Sequence, residues 1–312
     1  EHNNIDNILV KLDNYHNKEP VHLKLYKTCN VCDCIRRGYR WEEHQHELID
    51  KYLNDTSVAI DCGSHIGTLS IKFSKVCKYV HCFEPFLSSF NLLKENMKLN
   101  SNGNYKLYNK GLGNTLCNEK IGWISSEGPG GIGLTGNSYI PTNTNDVRED
   151  QNNVNIDVIT IDSLKLEKLD YIKIDVEGYE DKVIQGGFET IKRYKPLIIL
   201  ECYESFSPLK EASMKFVKEK YQNLINLGYV IQHIWKADFL FLPTNNITNT
   251  YKPDVIVIDD FYKNPDEIRD YALSLNFESP ENHGAVGYRC EYGRKIQDGT
   301  KEFFEKLLHT SI

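Results

Sequence analysis

The chain has 312 residues, of which 40% are hydrophobic and 26% charged, and a formal net charge of -7. That length and composition fit one large globular domain, or a medium domain plus a fragment, and argue against disorder. No long basic run occurs, so bulk electrostatics does not favour a nucleic-acid partner, and no stretch approaches the roughly 18 consecutive apolar residues of a membrane span.

The opening EHNNIDNILV lacks the basic start and apolar core of a secretory signal. Nine cysteines, an odd count spread through the chain, fit reduced thiols better than a disulfide framework. The expected compartment is the cytoplasm, that of a host cell if the source is viral. The missing initiator methionine and the end at LLHTSI lead to the expectation of a piece cut from a longer multidomain protein.

Residues 1–50 are expected to form an N-terminal helical cap. Its last part, RWEEHQHELIDKYL, repeats Trp41, Leu48, Ile49, Tyr52 and Leu53 at near-helical spacing. Within it, CNVCDC (Cys29 to Cys34) holds a C-x-x-C pair without a second pair. His44 and His46 lie two apart on a helix and so point in different directions. Buried thiols are the simpler reading than zinc.

A second region, 51–245, alternates strand and helix. SVAIDCG, YVHCFEP, YKLYNKGLG, YIKIDVEG and KPLIILECY read as strands, and HIGTLSIKFSKV, SSFNLLKENMKLN and EDKVIQGGFETIKRY as helices. Crossovers of that length imply a doubly wound α/β fold, a mostly parallel sheet covered on both faces. In such sheets ligands bind beyond the carboxyl ends of the strands. Those ends bring Asp61 to Gly67, Glu84, Asn109, Asp175 and Glu201 forward as candidates, four of them acidic. The loop DCGSHIG lacks the G-x-G-x-x-G that admits a pyrophosphate, and Asp61 would repel a diphosphate. S-adenosylmethionine suits it better, having an ammonium and a sulfonium, with a carboxylate for the helix N-terminus. Glu84 follows Asp61 by 23 residues, near the spacing at which an acid takes a ribose diol.

VAIDCGSHIGTLSIKFSK, HCFEPFLSSFNLLKENMKLN, NKGLGN, VITIDSL, LDYIKIDVEGYEDKVIQGG and KPLIILE follow one another over residues 40 to 243 in the order and spacing that resembles the FkbM-type S-adenosylmethionine-dependent methyltransferases. The resemblance implies a class I (Rossmann-like) methyltransferase fold and O-methylation of a sugar or another secondary-metabolite hydroxyl. By position it implies that Asp61, Gly63, Ser64, His65 and Gly67 cradle the amino-acid part of the cofactor. It places Glu84 on the ribose, Asn109 near the adenine and Asp175 at the methyl-transfer centre. NKGLGN departs from the family, which more often has alanine at Gly111, and this weakens the adenine assignment.

In YIKIDVEGYE, Tyr171, Lys173 and Asp175 share one strand face and Ile172, Ile174 and Val176 the other. An unpaired ammonium in a covered strand is costly, so Lys173 and Asp175 should pair or reach the cleft. Methyl transfer to a hydroxyl needs position and a base. Asp175, Glu177 and Lys173 are the candidate bases, with His65 and His233 behind them. Asp175, Glu177 and Glu201 are also oxygen ligands suited to magnesium or calcium. The set Lys173, Asp175 and Glu177 invites comparison with ribose 2'-O-methyltransferases, against which the acidic balance counts.

The stretch GWISSEGPGGIGLTGNSYIPTNTNDVREDQNN is expected to form no regular element and to lie beside the cleft. It is either a solvated loop or a substrate lid with Trp123 and Tyr139 as stacking surfaces; Glu201 and His233 are further substrate candidates. Residues 246–312 read as a linker and a partial second domain. There DVIVIDDFYKNPDEIRDYALSLNF resembles the opening of 2-oxoglutarate/Fe(II)-oxygenase-like domains, without the H-x-D those enzymes need. Two functions follow: an O-methyltransferase for a glycan or similar hydroxyl acceptor, or a module that binds the cofactor without turnover inside a multidomain glycan-modifying protein.

Overall fold

Val21, Leu23 and Leu25 are fully buried and alternate with the part-exposed His22 and Lys24, the period of two that makes a half-buried strand. In the computed structural model, which describes residues 7–16, 19–27, 29–125, 132–134, 144–145, 155–205, 210–244, 277–278 and 289–290, this alternation builds a hairpin. β1 (Asn7–His16) pairs antiparallel with β2 (Glu19–Tyr26). The helical cap expected over 1–50 is therefore corrected: strands come first, and only then α1 (Asn30–Arg36) and α2 (Glu43–Tyr52). Cys29 and Cys32 are buried thiols at the start of α1.

The strand-helix alternation is present as β3 (Val58–Cys62), α3 (Thr68–Val76), β4 (Tyr79–Phe83), α4 (Leu87–Asn100) and β5 (Tyr105–Tyr108). A second sheet follows, made of β6 (Gly111–Leu112), β7 (Cys117–Ser125), β8 (Ile132–Leu134), β9 (Thr144–Asn145) and β10 (Asn155–Ile159). The chain then returns through β11 (Tyr171–Ile174), α5 (Glu180–Gly186), α6 (Phe188–Tyr194), β12 (Leu197–Glu201), α7 (Lys210–Lys220), α8 (Gln222–Asn226), β13 (Tyr229–Trp235) and β14 (Asp238–Pro243).

The main sheet runs in the order β13-β14-β12-β11-β3-β4-β5. The five strands from β12 to β5 are parallel, and β14 joins β12 antiparallel. Alternate residues divide its two faces. Ala59, Val80, Tyr171 and Ile199 pack under α3, α4 and the N-terminal elements, whereas Ile60, Ile172, Ile198 and Phe239 pack on the opposite side with α5 to α8. This is the doubly wound α/β architecture that the alternation predicts, completed by an edge pair, β13 and β14, that it does not.

Two asparagines of α4 attach the hairpin. Asn96 accepts from Lys24 N (2.7 Å) and donates to Lys24 O (3.0 Å), and Asn100 does the same with His22 (2.9 and 2.8 Å). Four residues along a helix rise about 6 Å and two along a strand about 6.6 Å, so the amides meet alternate strand residues in step. Asn96 also donates to Ile66 O (2.8 Å), which joins the hairpin to the loop after β3.

The expectation of no regular element over 122–153 is also corrected, because parts of β7, β8 and β9 lie there. Ile121, Leu134, Ile156, Val158 and Tyr179 give this sheet its own small core, and burying them offsets the glycine-rich composition. The chain divides into two units, residues 1–251 and 252–312. Among the described residues the second contains β15 (Phe277–Glu278) paired with β16 (Arg289–Cys290); the rest of the oxygenase-like segment lies outside the described residues.

Replacing Asn96 by alanine removes three hydrogen bonds and leaves buried backbone groups of Lys24 and Ile66 without partners. We expect a loss of about 2–3 kcal/mol in unfolding free energy by urea denaturation. A loss below about 0.5 kcal/mol would mean that α4 does not hold the hairpin.

Candidate active site

The carboxyl ends of β3, β4, β11 and β12 open into one cavity, whose floor is the loop from Asp61 to Thr68. Gly63 has φ +81°, and a Cβ there would stand 1.8 Å from the Asp175 carbonyl oxygen. The loop thus touches the end of β11 where only glycine fits. Gly67, with φ +93°, faces Leu93 Cδ1 at 2.8 Å from its own would-be Cβ. The Phe83 carbonyl accepts from both Gly63 N (3.0 Å) and Ser64 N (2.9 Å), and Ser64 Oγ donates to Asp61 O. His65, left-handed at φ +48°, donates its backbone N–H to Glu84 Oε2 at 2.8 Å, and Phe86 N donates to Oε1 at 2.8 Å. Burial pushes the Glu84 carboxyl up to about 7 against the pull of these two donors.

Lys173 lies beside Asp61 in the register of β11 and β3. Its ammonium donates to Gly63 O at 2.8 Å and pairs with Asp175 Oδ2 at 3.3 Å and Asp61 Oδ1 at 3.7 Å. Burial disfavours this charge, but Asp175, Asp61 and Glu42 more than offset it and hold the lysine above its ordinary range. It is a fixed cation and so is not the base, which corrects that expectation. Asp61 is held from the other side by Ser70 Oγ, yet its Oδ1 has no hydrogen-bond partner although buried. His65 Nε2 is likewise buried without a partner, and burial lowers the His65 imidazole to about 4, so it is neutral.

Past β11 the backbone turns through left-handed Glu177 (φ +56°) and Gly178 (φ +92°). Glu180 reaches back from α5, taking Gly178 N at 2.9 Å and Val176 N at 3.2 Å. Burial pushes its carboxyl up to about 7. Glu177 and Glu201 are driven well above the carboxylate range by burial and then by the nearby Asp175, with which Glu201 shares a hydrogen bond. Phe86, Tyr179, Tyr203 and Trp41 add aromatic surface to the same walls.

The cavity therefore brings together Asp61, Gly63, Ser64, His65, Glu84, Lys173, Asp175, Glu177 and Glu201. Gly67 shapes the loop from behind. Two expected residues are placed elsewhere. The Asn109 amide donates to Glu84 O (2.9 Å) and Pro85 O (3.0 Å), so it braces the end of β4 rather than lining the cavity. His233 sits on edge strand β13 with Nε2 bonded to Lys236 O at 2.7 Å, away from the cavity walls. Trp123 is on β7, but its side chain, like all of Tyr139, lies outside the described residues. Among the described residues no group of three or more His, Cys, Asp or Glu is arranged to hold a metal ion. The magnesium or calcium site expected on Asp175, Glu177 and Glu201 therefore has no support among the described residues, where Asp175 faces Lys173.

Sequence reasoning misses Val31, Trp41 and Glu42, which reach the cavity from the N-terminal region. Their only signal is that Glu42 just precedes the helical spacing of α2. The residues fit S-adenosylmethionine. Asp61 Oδ1, which makes no hydrogen bond and has only the Lys173 ammonium 3.7 Å away, suits a donated ammonium proton, the loop from Gly63 to Gly67 is a tight cradle, and the two donors on Glu84 leave about two acceptor sites for a ribose diol.

The family model described as methyltransferase FkbM domain matches residues 61–239, more than half of the chain. Among solved structures the chain is similar to a methyltransferase FkbM from Methylobacillus flagellatus KT. Identity is 17%, the match covers 60% of this chain and 44% of that one, and the TM-score is 0.40. It is also similar to Trm5b from Pyrococcus abyssi (12% identity, 77% and 56% covered, TM-score 0.41) and to M. jannaschii TYW2 in complex with AdoMet (14%, 77% and 85%, 0.34). No curated protein matches the chain.

Replacing Lys173 by methionine leaves Asp61 and Asp175 without their buried counter-charge, and we expect a loss of about 3–5 kcal/mol at pH 8. Glu42, Glu84 and Glu177, which burial raises and Lys173 opposes, rise further without it, so they bind more protons when folded, and the variant gains stability as pH falls. Melting at pH 8 and pH 5 should show a smaller deficit at pH 5; an equal deficit would contradict the ion-pair account.

Proposed function

Since the chain belongs to the FkbM family of S-adenosylmethionine-dependent methyltransferases, we propose that it methylates a hydroxyl of a sugar, glycan or similar small acceptor, with Asp175 as the base. The observation that carries this reading is the exposure of Asp175. Its side chain is 24% accessible, against 4% for Lys173 and 1% for Asp61, so of the three cavity-lining members of that cluster it is the most open to an acceptor.

When bound, the cofactor supplies an electrophilic methyl group. Asp61, Gly63, Ser64 and His65 would hold its amino-acid part, Glu84 its ribose, and Pro85, braced by Asn109, the adenine side. Lys173, 3.3 Å from Asp175 Oδ2, fixes the direction of that carboxyl, so that a hydroxyl placed against it gives up its proton as the new bond forms. Phe86, Tyr179, Tyr203 and Trp41 supply apolar faces for a ring. Glu177 and Glu201, raised toward the neutral form, can both donate to and accept from a polyol. The chain's net charge of -7 and its lack of a long basic run support a glycan acceptor over RNA.

Release of S-adenosylhomocysteine should be measured with a panel of glycosides and a short RNA. Asp175→Asn should lower kcat by about 100-fold or more, while S-adenosylhomocysteine affinity by calorimetry changes less than about tenfold. Turnover of the RNA alone would overturn the acceptor class, and full activity of the variant would overturn the role of Asp175.

A further inference from the structure

Glu42 lies outside the segment that matches the family, yet it forms part of the cavity wall. It stands at the junction before α2 in a left-handed conformation, φ +54° and ψ +46°, which side chains other than glycine seldom adopt. Two attachments hold it there. Gln45 Nε2 donates to Glu42 Oε1 at 3.0 Å, and His44 Nε2 is 2.6 Å from Asp238 Oδ2 on β14, with Trp235 stacked on the imidazole. The N-terminal segment is thereby tied across the strand ends, bringing the carboxyl of Glu42 to the cavity.

The charges around it do not balance. Six carboxyl side chains line the cavity (Glu42, Asp61, Glu84, Asp175, Glu177 and Glu201) against two lysines. Lys110 is paired with Asp157 at 2.9 Å, and Lys173 is taken by Asp61 and Asp175. Among the described residues no ion pair reaches Glu42. Facing it are Lys173 from β11, Asp175 just past it, Asp61 from β3 and Asp238 from β14. Burial pushes its carboxyl up to about 8, with Lys173 opposing and the three aspartates adding to the rise. Asp61 Oδ1, buried and without a hydrogen bond although the Lys173 ammonium lies 3.7 Å away, leaves room on the same wall for a further donor.

We propose that Glu42, whose carboxyl Gln45 holds in the cavity wall, is a specificity-determining residue that recognises the positive charge of the methyl donor. The site then favours S-adenosylmethionine over S-adenosylhomocysteine and releases a proton as the donor binds. The inference rests on the cofactor assignment above. Its sign follows from the direction of the shift. Below about pH 8 the free protein holds the proton, a cation favours the ionised form, and so donor affinity rises with pH until the proton is already gone.

Calorimetry of the full chain with S-adenosylmethionine and with S-adenosylhomocysteine, each in two buffers of different ionisation enthalpy, counts the protons released. At pH 7 the wild type should release about one more proton than Glu42→Gln on binding the donor, and this excess should vanish by about pH 9.5. The affinity ratio of donor to product should fall roughly tenfold in Glu42→Gln and be restored in Glu42→Asp. A merely structural Glu42 predicts equal proton counts and an unchanged ratio in all three proteins, which overturns the proposal. If the wild type binds neither ligand, the cofactor assignment falls and this inference with it. If it binds both and Glu42→Gln is indistinguishable, only this inference falls.

Discussion

The ammonium of Lys173 is a positive charge buried between Asp61 and Asp175 and bonded to the carbonyl of Gly63, and the site is arranged around it. It requires β11 and β3 to keep the register that sets Lys173 beside Asp61. It also requires the loop after β3 to come close to the end of β11, which in turn demands glycine at 63. A pair of this kind contributes little net stability, because desolvation cancels much of the attraction. Its effect is on specificity of structure: removing any member leaves a buried charge uncompensated, so the strand ends and the loop are fixed together.

The second constraint comes from the N-terminal elements. They cover one face of the main sheet with the apolar side of a hairpin, and their continuation carries Trp41 and Glu42 into the cavity. Asn96 and Asn100 hold the hairpin, and the contact of His44 with Asp238 holds the continuation. Tyr26, at the end of β2, stacks on His65 with ring centroids 6.1 Å apart, which puts the hairpin in direct contact with the cofactor loop.

Much of this is legible in the sequence where local pattern and tertiary role coincide. SVAIDCG and YIKIDVEG read as strands with acids at their ends because a covered parallel strand must be apolar until it reaches the cleft. The hairpin is equally periodic in VHLKLY, but the strong helical spacing just after it draws the whole region into one reading. The strands of β7 to β10 are hidden by glycine and asparagine, whose local preference is overridden by burying Ile121, Ile156 and Val158. FLFLP is apolar throughout and still joins the sheet antiparallel, a direction no residue pattern encodes. Glu42 is illegible for a different reason: what makes it a site residue is charge on β3, β11 and β14, brought near only by folding.

The match in rise between α4 and β2 makes the two elements a ratchet. A slip of one residue along the strand would turn Val21, Leu23 and Leu25 outward and break both asparagine contacts, whereas a slip of two would re-engage them about 6.6 Å away in one direction and set Asn100 against Pro20, which has no N–H, in the other. Intermediate positions are forbidden by packing and hydrogen bonding at once. Length changes in the turn between β1 and β2 leave this gearing intact, while an odd insertion inside β2 would be felt at Ile66 and so at the floor of the cavity.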